Sequence, residues 1–266
     1  MANETVFASD PEDEIGRRRQ AILAMVREQG FVTIEALARR FGLSAQTVRR
    51  DIVRLDRDGL LQRFHGGAGM PGGHVRLGYA EKRAVAPDAK ERIGRAAAAL
   101  IPDGSSVFLD VGTTVEAVAH ALHGRRRGLR IFTNSLPAAA ILAAGGQAEV
   151  YVLGGSVRGQ DGSLVGDATT TAIAGFRFDC AVIGFSGCEP DGTLMDFDLH
   201  KVAVKQAAIR HSRRTIAVGT ADKFQRSALV AVAGFAALSD LVTDAPLAPP
   251  VAERLAASGT ALLIAD

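Results

Sequence analysis

Four short polar stretches between residues 110 and 187 each follow an apolar run: Asp110-Val111-Gly112-Thr113-Thr114, Thr133-Asn134-Ser135, Gly154-Gly155-Ser156 and Phe185-Ser186-Gly187. Their glycines permit close backbone approach, their hydroxyls and amide form hydrogen bonds, and the first stretch stands directly before a helix whose N-terminus favours an anion. Such residues bind phosphate and hydroxyl groups. Singly each is weak, since Thr114 reads equally as a helix cap and Asn134 as a turn residue. Their recurrence after consecutive strands is what makes a pocket. Asp196, Asp198 and Lys205 surround the helix that comes next, and Lys223 lies in Ala-Asp-Lys-Phe after a fifth strand, where a lysine supplies a point charge for phosphate. His120 and His123, spaced i and i+3, have no third partner, and Cys180 and Cys188 have neither a CxxC spacing nor a histidine cluster. No metal site or cofactor is expected, and the thiols read as reduced and structural.

A second constellation lies near the N-terminus, in residues 44–68, SAQTVRRDIVRLDRDGLLQRFHGGA. Val48, Ile52 and Leu55 recur at helical spacing and face inward, leaving Gln46, Arg50 and Arg57 near the opposite side. Ser44 is placed as an N-cap and Gly59 as a left-handed terminator. Residues 60–64 read as a short strand and Gly66-Gly67 as a tight turn, so that a helix is followed by a hairpin, or wing. Upstream, residues 33–41 form another short helix with Ile34, Leu37 and Phe41 on one side, joined through Gly42-Leu43. Two short helices joined by a glycine turn form a helix-turn-helix, whose second helix enters a major groove. Gln46, Thr47, Arg49, Arg50 and Arg54 are assigned to that face, where Gln and Arg reach base edges. A solvated arginine face on a helical hairpin would explain the periodicity alone, but not the ordered sequence of turn, cap, basic face and wing.

The elements that carry these groups fall into two parts. Residues 1–13 are acidic, aperiodic and expected to be disordered. A first helix over 15–29 completes the small domain, which spans 14–68; Arg17, Arg18 and Arg19 at its start are read as a solvated face or as phosphate contacts. Residues 69–87 are a Gly- and Pro-rich linker with a connecting segment at 79–85. From 88 to 266, strands at 106–110, 129–133, 149–153, 180–184, 215–218, 241–243 and 261–264 alternate with helices at 89–100, 115–122, 137–144, 168–174, 199–211 and 250–257, and 154–167 reads as a long loop. Such alternation implies an α/β fold with a mostly parallel sheet covered on both faces, and ligands at the carboxyl ends of its strands.

Composition agrees with this division. The 266 residues carry a net charge of only +2, but residues 15–65 hold eleven arginines against five carboxylates, a surplus of six. A basic module is thus attached to a nearly neutral one. An acidic N-terminus with no apolar h-region, and no apolar run near the length of a membrane helix, lead us to expect a cytoplasmic protein with no membrane partner.

Residues 33–68 resemble the winged helix-turn-helix of DeoR-family bacterial transcriptional regulators. The signature is carried by Ser44, Thr47, Val48, Arg49, Arg50 and Asp51, then Leu61, Arg63, His65, Gly66, Gly67 and Ala68. The resemblance adds Ser44, Arg63 and His65 to the DNA-binding set. From Lys90 onward the chain is similar to the sensor domain of the same family, whose fold resembles ribose-5-phosphate isomerase. In family terms the sugar-phosphate site falls on Asp110, Gly112, Thr113, Thr114, Asn134, Gly154, Asp196 and Lys223. Thr220 and Lys201 depart from the family pattern, and Gly-Thr-Leu-Met-Asp-Phe-Asp at 192–198 resembles the glycerol-3-phosphate repressor subgroup. The resemblance implies a repressor of a sugar or polyol operon, binding double-stranded operator DNA, relieved by a phosphorylated sugar or polyol such as glycerol 3-phosphate, and working as a homodimer or homotetramer. The alternative is a sugar-phosphate isomerase with an accessory nucleic-acid module. That reading needs a positioned base at Asp110 or Asp196 with Lys223, leaves the basic module idle, and no catalytic residue is assigned.

Overall fold

The structure, a computed structural model, describes residues 11–29, 31–64, 66–70, 78–124 and 127–266. The chain divides into two compact units, Met1–Arg76 and Leu77–Asp266.

In the first unit, helix α1 (Pro11–Gln29) precedes strand β1 (Phe31–Thr33), helices α2 (Ile34–Phe41) and α3 (Ala45–Arg57), and strands β2 (Gln62–Phe64) and β3 (Gly67–Gly69). Helix α1 begins earlier than periodicity suggests: a proline at a first helical position gives up no intrahelical N–H, so residues 11–13, expected in the disordered tail, are helical. Strand β1, too short for alternation to register, is not expected from the sequence. It pairs antiparallel with β3, which also pairs β2, giving a three-stranded sheet in the order β1-β3-β2. The core gathers Ile22, Leu23, Val26, Val32, Leu37, Val48, Ile52, Leu55 and Leu61, so all three helices and the sheet bury one continuous apolar surface.

The second unit opens with a short helix, α4 (Tyr79–Ala84), and continues α5 (Pro87–Ala99), β4 (Ser106–Leu109), α6 (Thr113–Leu122), β5 (Arg130–Thr133), α7 (Leu136–Ala143) and β6 (Glu149–Val152). The hairpin β7 (Ser156–Arg158) and β8 (Ser163–Val165) occupies the stretch expected to be a loop. Then come α8 (Asp167–Ala174), β9 (Phe178–Gly184), β10 (Gly187–Cys188), β11 (Thr193–Asp196), α9 (Leu199–Arg210), β12 (Ser212–Val218), β13 (Val230–Gly234), β14 (Asp240–Thr243), α10 (Pro249–Ala257) and β15 (Ala261–Ile264). Strands β10, β11 and β13 form a small antiparallel sheet.

The main sheet has seven parallel strands in the order β15-β14-β12-β9-β4-β5-β6. Alternate residues of its buried strands serve opposite faces. Val107, Leu109, Ile131, Val182, Ile216 and Val242 join residues of α5, α6 and α7, such as Ile93, Val118 and Leu142, in one core. Phe108, Phe132, Ala181, Ile183, Ala217 and Leu241 join Ile173, Val204 and Leu255 of α8, α9 and α10 in the other. Helices α5 and α6 cross closely because Gly94 has no side chain; a Cβ there would lie 2.5 Å from the Ala117 carbonyl oxygen. The chain builds outward from β4 through β5 to β6, then returns to lay β9, β12, β14 and β15 on the other side of β4. The order therefore reverses between β4 and β9, and the crevice beyond their carboxyl ends is where an open α/β sheet holds a ligand.

Candidate functional site

In the first unit the two helices of the turn are capped as their sequences require. The Thr33 hydroxyl accepts from the Ala36 N–H at 3.1 Å and the Ser44 hydroxyl from the Thr47 N–H at 3.1 Å, each satisfying an orphan donor. Helix α2 ends at Gly42 with φ 66°, a left-handed conformation. With Val48, Ile52 and Leu55 buried, Gln46, Arg49, Arg50 and Arg54 stand exposed and Thr47 half-buried. Arg54 lies 3.3 Å from Asp58 one turn on. Arg63 is exposed on the wing, its backbone N–H held by Asp56 at 2.9 Å. His65, expected in the DNA-binding set, lies outside the described residues.

The arginine run of α1 serves a purpose that its composition does not reveal. Asp51 of α3 is buried, and its two carboxylate oxygens take Arg18 at 2.7 Å and Arg19 at 3.0 Å. Those arginines tie α1 to the helix that presents the basic face, which corrects their reading as a solvated or phosphate-facing run.

In the second unit, Asp110 at the end of β4 is fully buried and accepts from the Gly184 N–H at 3.1 Å, across the point where the sheet order reverses. It also binds the ammonium of Lys205 from α9, which donates to the Gly184 carbonyl at 2.9 Å and lies 3.4 Å from Asp196 of β11. Burial works against the Lys205 charge, and the two carboxylates outweigh it, so its pKa stands above the usual lysine value. Asp196 is likewise held below the usual carboxylate range: burial opposes its charge, while Lys205, Lys82, the Phe197 N–H and the Ser186 hydroxyl overcome that penalty. Asp198 has a different task, capping α9 through the His200 and Lys201 N–H groups and pairing with Arg158 of the β7–β8 hairpin at 2.7 Å. Lys201 closes the same hairpin by pairing with Asp161.

Lys223 lies in a 3-10 turn, Ala221–Gln225, after β12. The residue is half-buried and its ammonium turns inward, donating to the Phe185 carbonyl at 2.7 Å and standing 5.1 Å from the Phe185 ring. Burial lowers its pKa to about 7, Asp222 opposing and the charges of Lys90, Lys82 and Arg226 assisting. Lys90 of α5 is buried with its ammonium on the carbonyls of Lys82 and Val85, and burial lowers it to about 8. No carboxylate among the described residues lies within ion-pair distance of Lys90 or Lys223.

Gly112 adopts φ 130° at the N-terminus of α6, a conformation that favours glycine, with open space where a side chain would point. Thr113 is half-buried and Thr114 is buried behind it. Asp110 Oδ1 and Thr114 Oγ1 have no hydrogen-bond partner among the described residues, and the same holds for Oδ1 of Asn134. Asp110, Asp196 and Lys223 thus gather around Lys205 and the end of β9, with Gly112, Thr113 and Thr114 on the loop that follows Asp110. Asn134 and Gly154 stand one and two strands further out on the same edge and meet other elements. The Asn134 amide donates to the Leu164 carbonyl at 3.1 Å, and the Gly154 carbonyl accepts from Thr169 at 2.5 Å. Ser186, in one of the polar stretches expected to line the pocket, binds Asp196 at 2.9 Å, whereas Lys82 and Lys90 are not among the site residues expected from the sequence, since a lysine on a helix reads as a surface group. His120 and His123 are exposed, Cys180 and Cys188 are buried and free, and no cluster of metal-ligating side chains occurs among the described residues. No helix among those residues is long and apolar enough to cross a membrane.

Two family models match the chain: the DeoR-like helix-turn-helix domain over residues 18–72 and the DeoR C terminal sensor domain over residues 85–245. The glycerol-3-phosphate regulon repressor of Escherichia coli (strain K12) is 40% identical over 235 residues, covering 88% of this chain and 92% of that one. The HTH-type transcriptional repressor CsqR of the same strain is 37% identical over 227 residues, covering 85% and 87%. Among solved structures, a D-ribose-5-phosphate isomerase in complex with phospho-erythronic acid aligns with a TM-score of 0.38 and 14% identity, covering 52% of this chain and 53% of that one. The two relatives are named as transcriptional repressors and not as enzymes. Matched across both of its units and over most of its length, the chain belongs to the DeoR family of transcriptional regulators.

Proposed function

We propose that the protein is a repressor whose first unit holds an operator and whose second unit binds a phosphorylated sugar or polyol that weakens that hold. The observation that carries the effector half is the pair Lys90 and Lys223, two ammonium groups brought to the switch-point edge and directed at backbone carbonyls, with no carboxylate within ion-pair distance among the described residues. A carbonyl offers only a partial charge, whereas a phosphate supplies the missing negative charge and several acceptors. Gly112, Thr113 and Thr114 at the N-terminus of α6 complete the cradle, and the unpartnered oxygens of Asp110 and Asn134 suit the hydroxyls of a polyol. The name of the 40% identical relative makes glycerol 3-phosphate the first ligand to test. Gln46, Thr47, Arg49, Arg50 and Arg54 read the operator, with Ser44, Arg63 and His65 at its backbone, in the cytoplasm where that DNA lies. A dimer or tetramer sets two such faces on inverted half-sites.

The test is a melting-temperature screen against phosphorylated sugars and polyols, followed by operator titration with and without the best ligand. A ligand specific to the folded state raises the melting temperature by mass action, and the same ligand releases DNA. A panel with no effect on either measurement rejects the effector half, and turnover of a sugar phosphate restores the isomerase alternative.

A further inference from the structure

We propose that Lys82 is a ligand of the anion site, so that a bound phosphate is held in part by the segment through which the chain enters the sensor. This rests on the reading that the switch-point edge holds a phosphorylated ligand.

Helix α4 has six residues and none of them is buried, so its own hydrogen bonds do not stabilise it in water. It is held from outside, by groups at the candidate site. The Tyr79 hydroxyl donates to both carboxylate oxygens of Glu116 at 3.0 and 3.1 Å, and the Thr113 hydroxyl reaches the Lys82 carbonyl at 3.5 Å. The Lys90 ammonium donates to the same Lys82 carbonyl and to that of Val85. Thr113 opens α6 directly after Gly112, and Glu116 stands one turn on. The backbone of Lys82 is therefore fastened to the phosphate loop and to one of the two lysines that await an anion.

Its side chain completes the arrangement. Lys82 is half-buried on a helix whose other residues are mostly exposed, and its ammonium makes no hydrogen bond or ion pair among the described residues. Burial lowers its pKa; the carboxylate of Asp196 opposes this, and the charges of Lys201 and Lys205 assist. The Lys90 ammonium rests on the Lys82 carbonyl, and the charge of Lys82 lowers the pKa values of Lys90 and Lys223, so it is felt at both. None of the three has a carboxylate within ion-pair distance among the described residues, a costly arrangement for partly buried cations, and a phosphate dianion supplies the close negative charge that Asp196 and Asp222 provide only from further away. Occupation of the site then adds a bond between ligand and α4, so the anchoring of α4 depends on the ligand, as coupling between sites requires.

The test uses the full chain, glycerol 3-phosphate as the probe, and amide hydrogen exchange read separately over residues 79–85 and 112–116. The expected result is that saturating probe slows exchange in both segments of the wild type. In Lys82→Gln, which keeps the backbone carbonyl and its two donors, residues 112–116 remain protected at saturation while 79–85 do not. Calorimetric affinity in that variant falls by about tenfold, the effect of one hydrogen bond to a charged group, and Lys82→Arg restores both readouts. Protection confined to 112–116 in the wild type, or equal behaviour of wild type and Lys82→Gln, overturns the role of Lys82 and leaves the effector site standing. Absence of heat and of protection with every phosphorylated polyol and sugar tried removes both.

Discussion

The Lys205 ammonium and the Asp110 carboxylate meet inside the sensor, on side chains that are 1% and 0% exposed. One comes from α9 and the other from the end of β4, and the contact joins the two sides of the point where strand order reverses. Removing one member of a buried, hydrogen-bonded pair leaves the other charged and unmatched. Lys205→Met is expected to lower stability by about 3–5 kcal/mol, read by urea denaturation. A loss under about 1 kcal/mol would show that Asp110 and Asp196 do not depend on that ammonium.

Asp51 with Arg18 and Arg19 is the corresponding device in the DNA-binding unit. Replacing both arginines by alanine strands a buried carboxylate in α3, and a loss of several kcal/mol is expected, again about 3–5. The measured quantity is the denaturation midpoint without DNA. An unchanged midpoint accompanied by weaker binding to all DNA sequences would return the two arginines to the phosphate backbone.

Arg50→Ala is expected to cost about 1–3 kcal/mol of operator affinity and to relax preference at one base position, as loss of a bidentate guanine contact does. Binding should be compared on specific and scrambled duplexes. Equal losses on both would make Arg50 a phosphate contact.

With the effector site as proposed, Lys223 is expected to make ligand binding depend on pH. Its pKa of about 7, against an ordinary lysine value of 10.5, means that above neutrality the empty site has already lost this proton. A bound phosphate keeps the ammonium charged, so binding takes up a proton and affinity falls with rising pH, by at most about tenfold per unit from this group. For folding, the native state binds fewer protons than the unfolded chain between about 7 and 10.5, so this residue makes stability rise with pH across that window. Lys223→Met is expected to weaken binding and flatten both dependences, and calorimetry in buffers of different ionisation enthalpy counts the protons. Proton uptake that persists in Lys223→Met assigns the titration to another group.

Much of this architecture is legible in the residues alone, for reasons of length and period. Helix α3 carries Val48, Ile52 and Leu55 at helical spacing behind a serine cap, and the parallel strands are apolar runs set between helices. What escapes is short or distant. Strands β7, β8, β10 and β11 have two to four residues each, too few for alternation to register against the glycines between them. Helix α4 buries nothing, so it has no apolar stripe to find, and its role lies in backbone carbonyls that a sequence does not display. Asp110 and Lys205 each stand out, but nothing local to either announces a partner 95 positions away. The arginines of α1 stand out by composition, and composition does not reveal that Asp51 faces inward.

The charge balance of the DNA-binding unit changes once those pairs are known. Residues 15–65 hold eleven arginines, yet Arg18 and Arg19 are bound to the buried Asp51. Each arginine bound to a carboxylate of its own chain displaces no condensed cation from a duplex, and the logarithm of affinity falls with the logarithm of salt by roughly 0.9 per phosphate neutralised. The salt dependence expected for one chain on its operator is therefore shallower than the arginine tally suggests, which would make operator occupancy inside a cell correspondingly less sensitive to a rise in internal potassium.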